Sequence, residues 1–188
     1  MGLGVVVVVG GCGHVGLPLG LLLAESGLMT IAYNIDERVV DRVRNENVPF
    51  EEPGAATALK TMLASGRFKV STDPSVIADA ETVIDVIGTP VDEHVNPDPH
   101  AVRAVVDDLS GQMRDGQLLV LSSTEATTSI EDILDEVLAS PRPTRWATCC
   151  NASTASSPPA AGSPSSARTS ATQSKAYFDC ADRYVRER

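Results

Sequence analysis

VVVVVGGCGHVGLPLGLLLAESG, residues 5–27, is the stretch that decides the fold of this chain. Its five consecutive valines are β-branched and stiff at χ1, which favours an extended strand buried on both faces. The closely spaced leucines that follow favour a helix that packs against this strand. Between the two elements stand Gly11, Gly13 and Gly16. This order of strand, glycine turn and helix predicts the start of a βαβ unit.

Length and composition indicate one globular domain. The chain has 188 residues, 43% of them hydrophobic and 21% charged, and its net charge of −10 argues against non-specific nucleic-acid binding. No run reaches the ~18–20 apolar residues that a membrane span needs, and no basic segment precedes the valines, so neither a membrane protein nor a signal peptide is expected. The four cysteines form no CxxC pair or metal-ligand spacing, which predicts a cytoplasmic protein without a metal.

Up to residue 140, short apolar runs alternate with amphipathic segments. We predict strands at Val5–Val9, Thr30–Asn34, Phe68–Ser71, Val83–Ile87 and Leu118–Leu121. Helices are predicted near Val15–Ser26, Asp36–Asn45, Ala55–Ala64, Pro99–Met113 and Ser129–Ala139. Strands and helices that alternate at this spacing predict an α/β fold, a doubly wound parallel sheet of about five strands.

The composition changes after Ser140. Residues 141–188 number 48, of which 27 are Ala, Ser, Thr or Pro, and they include no Leu or Ile. The charge also changes, from −14 over residues 1–140 to +4 over residues 141–188. Such a segment buries too little apolar surface to offset its ordering entropy. The sequence therefore predicts a folded domain over 1–140 and a low-complexity, largely disordered C-terminal tail over 141–188.

The three glycines predict a dinucleotide site, since a strand precedes them and a helix follows. Gly11 is expected to permit the tight turn, Gly13 to leave room for a pyrophosphate, and Gly16 to let the helix approach the sheet. The free N–H groups at the helix N-terminus would face the phosphates. A glycine turn that serves packing alone is the alternative.

The second predicted strand ends in the sequence AYNIDER, where a dinucleotide site normally has an acid that binds the adenosine ribose hydroxyls. Asn34 occupies that position, with Asp36 and Arg38 close behind. Asn34 brings no charge that would repel a 2′-phosphate, and Arg38 would attract one. NAD is therefore the expected cofactor. A second hypothesis is that the site discriminates only weakly against NADP. Alternatively, Asp36 only caps the helix and Arg38 only lies on its solvated surface.

Four blocks of the chain resemble the UDP-glucose/GDP-mannose dehydrogenase family. They read GGCGHVGLPLGLLLAESG, YNIDERVVDRVRNENVPFEEPGA, VIDVIGTPVDEHVNPDP and DGQLLVLSST, and the resemblance covers roughly residues 3–126. Within the family, the third block is most similar to UDP-N-acetyl-D-mannosamine dehydrogenases. The resemblance implies a Rossmann-like domain that binds NAD.

The resemblance also implies an activity and site residues. Such enzymes oxidise the C6 alcohol of a nucleotide sugar to a carboxylate with two NAD, and they serve surface polysaccharide synthesis as homodimers. His14 and Val15 match the positions against the pyrophosphate, and Asn34 matches the family's ribose-binding acid. Thr89 and Thr124 match threonines at the ends of the fourth and fifth strands, where an open sheet binds its ligand. Without the resemblance to the family, Thr89 and Thr124 would be interpreted as turn residues at the ends of strands.

The family's catalytic glutamate, lysine and cysteine have no counterpart in these 188 residues. No catalytic residue is therefore predicted, and the chain alone is expected to bind a dinucleotide without turnover, with dimerisation doubtful. A reading frame shifted or truncated near residue 141 is one explanation, and a genuine flexible linker is another. Two other functions stay open: a non-catalytic dinucleotide-sensing module, and a different Rossmann enzyme such as a hydroxyacid dehydrogenase, against which the block GTPVDEHVNPD argues.

Overall fold

The structure is a computed structural model that describes residues 4–87, 99–121 and 145–148. The strands in this part of the chain are β1 (Val5–Val9), β2 (Met29–Tyr33), β3 (Phe68–Ser71), β4 (Thr82–Asp85), β5 (Leu118–Leu121) and β6 (Arg145–Thr148). The helices are α1 (Gly16–Glu25), α2 (Glu37–Arg44), α3 (Ala55–Ala64) and α4 (Pro99–Gln112), with a 3₁₀ turn at Pro74–Ile77. Strands and helices thus alternate as the sequence predicts.

The six strands form one sheet in the order β3-β2-β1-β4-β5-β6, and every neighbouring pair is parallel. The order reverses at β1, which pairs with β2 on one side and with β4 on the other. At the carboxyl end of β1, Val9 lies opposite Tyr33 of β2 and Asp85 of β4. Connections leave the sheet in opposite directions at this point, which opens a crevice outside the strand ends.

The core lies on both faces of β1, whose central valines Val7 and Val8 are fully buried. One face carries Val6 and Val8 and packs on leucines of α1, namely Leu19 and Leu23. The other face carries Val7 and Val9 and packs on residues of α4, namely Val106 and Leu109. A strand covered by a helix on each face reads as a continuous apolar run. The valine repeat therefore predicts a central strand correctly.

The helix α1 lies unusually close to the sheet, and Gly20 is the reason. A Cβ on Gly20 would lie 2.9 Å from a ring carbon of Phe68 in β3, a contact that forces one of the two apart. Without a side chain at this position, the apolar faces of the helix and of β2 and β3 meet in one cluster. The position of α1 in turn determines where its N-terminus lies relative to the strand ends.

Three expectations need correction or fall outside the described residues. The sheet has six strands rather than about five, because Arg145–Thr148 pairs with β5 inside the segment predicted to be a disordered tail. The strand pairs with β5 along its four residues, and its sequence, RWAT, lacks the apolar run that marks the central strands. The predicted strand over Val83–Ile87 ends at Asp85. The predicted helix over Ser129–Ala139 lies outside the described residues.

Candidate functional site

The loop between β1 and α1 is anchored to the end of β2. The backbone N–H groups of Gly10 and Gly11 both donate to the carbonyl oxygen of Tyr33, at 3.0 and 3.1 Å. Gly10 has a φ of +77°, a left-handed conformation that glycine adopts without steric cost. The turn out of β1 therefore falls at Gly10, one residue before the glycine to which the sequence assigns it. The loop is thus fixed beside the end of β2, at the point where the strand order reverses.

Gly11 and Gly16 are required by the protein's own packing. A Cβ on Gly11 would lie 2.6 Å from the carbonyl oxygen of Val8 and 2.7 Å from Ala32. A Cβ on Gly16 would lie against the carbonyl oxygen of Gly10 and 2.6 Å from the Cα atom of Gly11. Gly16 thus brings the helix close to the loop, whereas Gly20 brings it close to the sheet. The packing alternative for the glycine motif accounts for these two positions.

Gly13 differs from both. Among the described residues, the one atom within 4 Å of a Cβ built on Gly13 is the carbonyl oxygen of Gly10, at 3.3 Å. Packing therefore does not explain why the loop has glycine here. The open side of the residue is where a ligand would approach the backbone, as the sequence predicts.

Backbone N–H groups are available next to this opening. Gly13 donates to Gly10 and Leu17 donates to Gly13, both at 3.0 Å. The N–H groups of His14, Val15 and Gly16 find no acceptor among the described residues, and no side chain caps α1. The amides lie at the helix N-terminus, where the helix dipole adds a partial positive charge. This group of amides, which we call the amide notch, has the chemistry that binds a phosphate or pyrophosphate.

The two reactive side chains of the loop are occupied elsewhere. Cys12 is 1% exposed, and burial raises the pKa of its thiol to about 11, partly offset by the charge of Arg44. The thiol therefore stays protonated and is part of the core. The imidazole of His14 lies on the ring of Phe50, with the centroids 4.3 Å apart. His14 thus joins the loop to the segment after α2 and leaves its own backbone N–H exposed.

Asn34 and Asp36 form two successive turns at the end of β2. The Asn34 side-chain oxygen accepts from the N–H of Asp36 at 2.9 Å. The Asp36 carboxylate accepts from the N–H of Arg38 at 3.0 Å and caps α2, and its second bond comes from Arg38 Nε at 3.4 Å. These bonds hold the pKa of Asp36 below its ordinary value. These contacts agree with the alternative in which Asp36 is a helix cap and Arg38 a surface residue. They do not decide whether a ligand also binds to these two side chains.

Asp85 is an ionisable residue at this edge of the sheet that the sequence-based prediction does not include. It lies at the carboxyl end of β4, is 9% exposed, and accepts from the N–H of Ile87 at 3.1 Å. Burial raises the pKa of its carboxyl to about 6, which the Ile87 bond partly offsets. The sequence does carry a signal for Asp85, because it is a single ionisable residue within an apolar run. Thr89 and Thr124, which the sequence also assigns to this edge, lie outside the described residues.

Two other kinds of feature are absent from the described residues. No group of three metal-ligating side chains lies together there. No described helix is long and apolar enough to cross a membrane. The amide notch and the end of β2 are therefore the features of these residues that point to a ligand.

A parallel sheet in this order, with a glycine loop and free amides at the point of reversal, defines a dinucleotide-binding domain of the Rossmann class. The profile of the UDP-glucose/GDP-mannose dehydrogenase family, NAD binding domain, matches residues 5–159. The chain belongs to this family, and the cofactor of the matched domain is NAD. The predictions of the family, the fold class and the cofactor are confirmed.

Curated relatives agree with this assignment. The chain is 30% identical over 130 residues to a UDP-N-acetyl-D-mannosamine dehydrogenase of Methanococcus aeolicus, which covers 68% of this chain and 29% of that protein. It is 32% identical over 124 residues to a UDP-glucose 6-dehydrogenase of Pseudomonas aeruginosa, which covers 65% of this chain and 27% of that protein. The chain thus spans under a third of the length of these relatives.

Solved structures share the fold. A UDP-D-ManNAc dehydrogenase from Pyrococcus horikoshii matches with a TM-score of 0.67 and 22% identity, over 77% of this chain and 35% of that one. A GDP-mannose dehydrogenase from Pseudomonas aeruginosa matches with a TM-score of 0.67 and 18% identity, over 76% and 34%. At these identities the likeness concerns the fold alone.

The family match also continues past residue 140, where the tail is predicted to begin.

Proposed function

We propose that this chain supplies the NAD-binding part of a nucleotide-sugar 6-dehydrogenase. The observation that carries the proposal is the amide notch, whose three N–H groups have no acceptor among the described residues and lie beside a glycine that the described packing does not require. In this proposal the notch holds the pyrophosphate of NAD, a group that accepts hydrogen bonds and carries negative charge. NAD, when bound, supplies the hydride acceptor for oxidation of an alcohol.

The roles of the individual residues follow from their positions. Gly11 and Gly16 shape the loop, Gly13 admits the ligand, and His14 and Val15 donate through their backbones. At the far end of the site, Asn34 lies where the ribose hydroxyls of the adenosine would bind, with Asp36 and Arg38 beside it. Thr89 and Thr124 keep their assignment to the cofactor site as part of the proposal, on the resemblance of their motifs.

The proposed substrate is a nucleotide sugar of the UDP-N-acetylmannosamine or UDP-glucose type. Support comes from the two curated relatives described above, whose names are those of UDP-sugar dehydrogenases. The overall reaction converts a primary alcohol to a carboxylate and reduces two NAD, in surface polysaccharide synthesis and in the cytoplasm. Covalent catalysis needs an activated nucleophile, and Cys12, a buried protonated thiol, does not supply one.

Titration of the chain with NAD tests the proposal. We expect a calorimetric binding signal and shifts in the NMR resonances of the His14, Val15 and Gly16 amides. The amides of residues 109–112, at the end of α4, serve as internal control, because this helix packs on the other face of β1. A folded chain that gives no heat and no shifts in the loop at millimolar NAD contradicts the proposal.

A second measurement separates binding from catalysis. Incubation of the 188-residue chain with NAD and either UDP sugar is expected to form no NADH, since the described residues hold no activated nucleophile near the site. NADH formation by the chain alone would show that its own residues supply the missing chemistry.

A further inference from the structure

We propose that the cofactor site accepts NADP as well as NAD, with Asn34 and Arg38 as the residues that determine this breadth. The inference deepens the proposed function and rests on it, since it concerns the adenosine end of the same site. Discrimination against NADP usually comes from a carboxylate at the end of the second strand. Such a carboxylate accepts from the ribose hydroxyls and repels a 2′-phosphate. At that position this chain presents hydrogen-bond donors instead.

The hydrogen bonds of Asn34 determine what it offers to a ligand. A side-chain amide has one oxygen that accepts and one nitrogen that donates two hydrogens. The Asn34 oxygen already accepts from the N–H of Asp36 at 2.9 Å, and its backbone N–H donates to Ser71 at 3.1 Å. Because both ends of the residue are held, rotation of the amide would break the turn that leads into α2. The half-buried Asn34 therefore faces a ligand with its N–H groups.

The charges beside Asn34 point the same way. Asp36 is negatively charged, but its carboxylate is paired with Arg38 through both the backbone N–H and Nε. The Arg38 side chain is 92% exposed, so its guanidinium is open to a ligand at this edge. Guanidinium groups bind phosphate with paired N–H donors. Glu37, exposed in the first turn of α2, carries a negative charge that opposes the charge of Arg38. The proposed acceptance of NADP therefore rests on the hydrogen-bond donors rather than on net charge.

A 2′-phosphate matches this set of groups better than a 2′-hydroxyl does. The phosphate oxygens are acceptors only, and they would meet the Asn34 N–H groups and the Arg38 guanidinium. A ribose hydroxyl can accept from Asn34, but it finds no carboxylate to which it donates at that position. NAD thus loses a bond that an acid would provide, whereas NADP escapes the repulsion that an acid would impose.

Calorimetric titration with NAD and NADP of the full chain and three variants tests the proposal. For the unaltered chain we expect the two dissociation constants to agree within about tenfold. Asn34→Asp restores the acid and keeps an oxygen for the Asp36 N–H, so the ratio is expected to move toward NAD by at least about tenfold. Arg38→Ala should weaken NADP about fivefold or more and NAD less than about twofold. Arg42→Ala, a cation removed from the same helix further along, is the matched control and should leave the ratio unchanged.

The outcomes separate the two proposals. NAD binding with NADP binding more than a hundredfold weaker overturns the inference and leaves the proposed function standing. An unchanged ratio in Asn34→Asp, or equal effects of Arg38→Ala and Arg42→Ala, also overturns it, because these residues would then not determine the preference. Binding of neither dinucleotide by a chain with a native circular-dichroism spectrum contradicts the proposed function itself.

Discussion

At the scale of single residues, the glycine motif contains two kinds of position, and substitution separates them. Gly16→Ala places a methyl group against the backbone of Gly10 and Gly11, so we expect a loss of about 1–3 kcal/mol of unfolding free energy. Gly13→Ala meets only one atom, at 3.3 Å, and is expected to fold with nearly the original stability. Its methyl group occupies the ligand side, so NAD affinity should fall at least about tenfold.

Urea unfolding and NAD titration of the two variants measure this contrast. Each variant is the control for the other, because both add one methyl group to the same loop. Equal stability losses, or NAD affinity that survives Gly13→Ala, would contradict the division of the motif into packing and ligand positions.

Asp85 predicts a pH dependence of stability. Its pKa is about 6 in the fold against an ordinary value of 3.8, so the fold favours the protonated carboxyl. The resulting penalty is absent below pH 3.8, grows as the pH rises toward 6, and is complete above it. The difference of about two pH units corresponds to at most about 3 kcal/mol. Asp85→Asn removes the titration, so its stability relative to the unaltered chain should increase between pH 4 and pH 7.5.

Urea unfolding at several pH values checks this expectation. Asp115→Asn, in the exposed turn before β5, removes a carboxylate that packing does not bury and is the matched control. A difference between Asp85→Asn and the unaltered chain that stays constant with pH would mean that Asp85 ionises as freely in the fold as in the unfolded chain.

At the scale of elements, Gln117 connects the 3₁₀ turn and the approach to β4 with the start of β5. Its side-chain nitrogen donates to the carbonyls of Ile77, at 2.7 Å, and Ala80, and its oxygen accepts from the N–H of Arg114. The residue is 5% exposed, so Gln117→Leu leaves buried polar groups without partners. We expect a loss of about 2–4 kcal/mol in unfolding free energy.

The matched control for this element is Gln112→Leu, at the end of α4, whose nitrogen makes one long bond of 3.4 Å to Asp108. We expect its effect to stay within about 0.5 kcal/mol. Comparable losses for the two variants would contradict the assignment of this stability to the three buried hydrogen bonds of Gln117.

The elements also show what the sequence predicts and why. The sequence predicts the bounds of β1, β3 and β5 to the residue. The strand β1 is an apolar run buried on both faces, and β3 and β5 lie between clear turn residues, so burial dictates their composition. The end of β4 is misplaced because Val86 and Ile87 are apolar while the ladder stops at Asp85. In the site, the sequence assigns the turn to Gly11, whereas the positive φ falls at Gly10, which only the path of the backbone shows.

At the scale of the whole molecule, β6 extends the sheet beyond residue 140. The strand pairs along the whole of β5, from Leu118 opposite Arg145 to Leu121 opposite Thr148. A chain that stops at residue 140 would leave the edge of β5, with its four apolar residues, unpaired. Exposed hydrophobic strand edges lower stability and promote association.

Two truncations test this role of β6. A chain that ends at residue 160 retains β6 and the whole family match, so we expect urea unfolding and NAD binding like those of the full chain. A chain that ends at residue 140 should unfold at lower urea concentration and sediment as associated species, since the edge of β5 is then free. Identical behaviour of the two truncations would place the domain boundary at residue 140, as the composition predicts. Failure of both would mean that residues 161–188 also stabilise the domain.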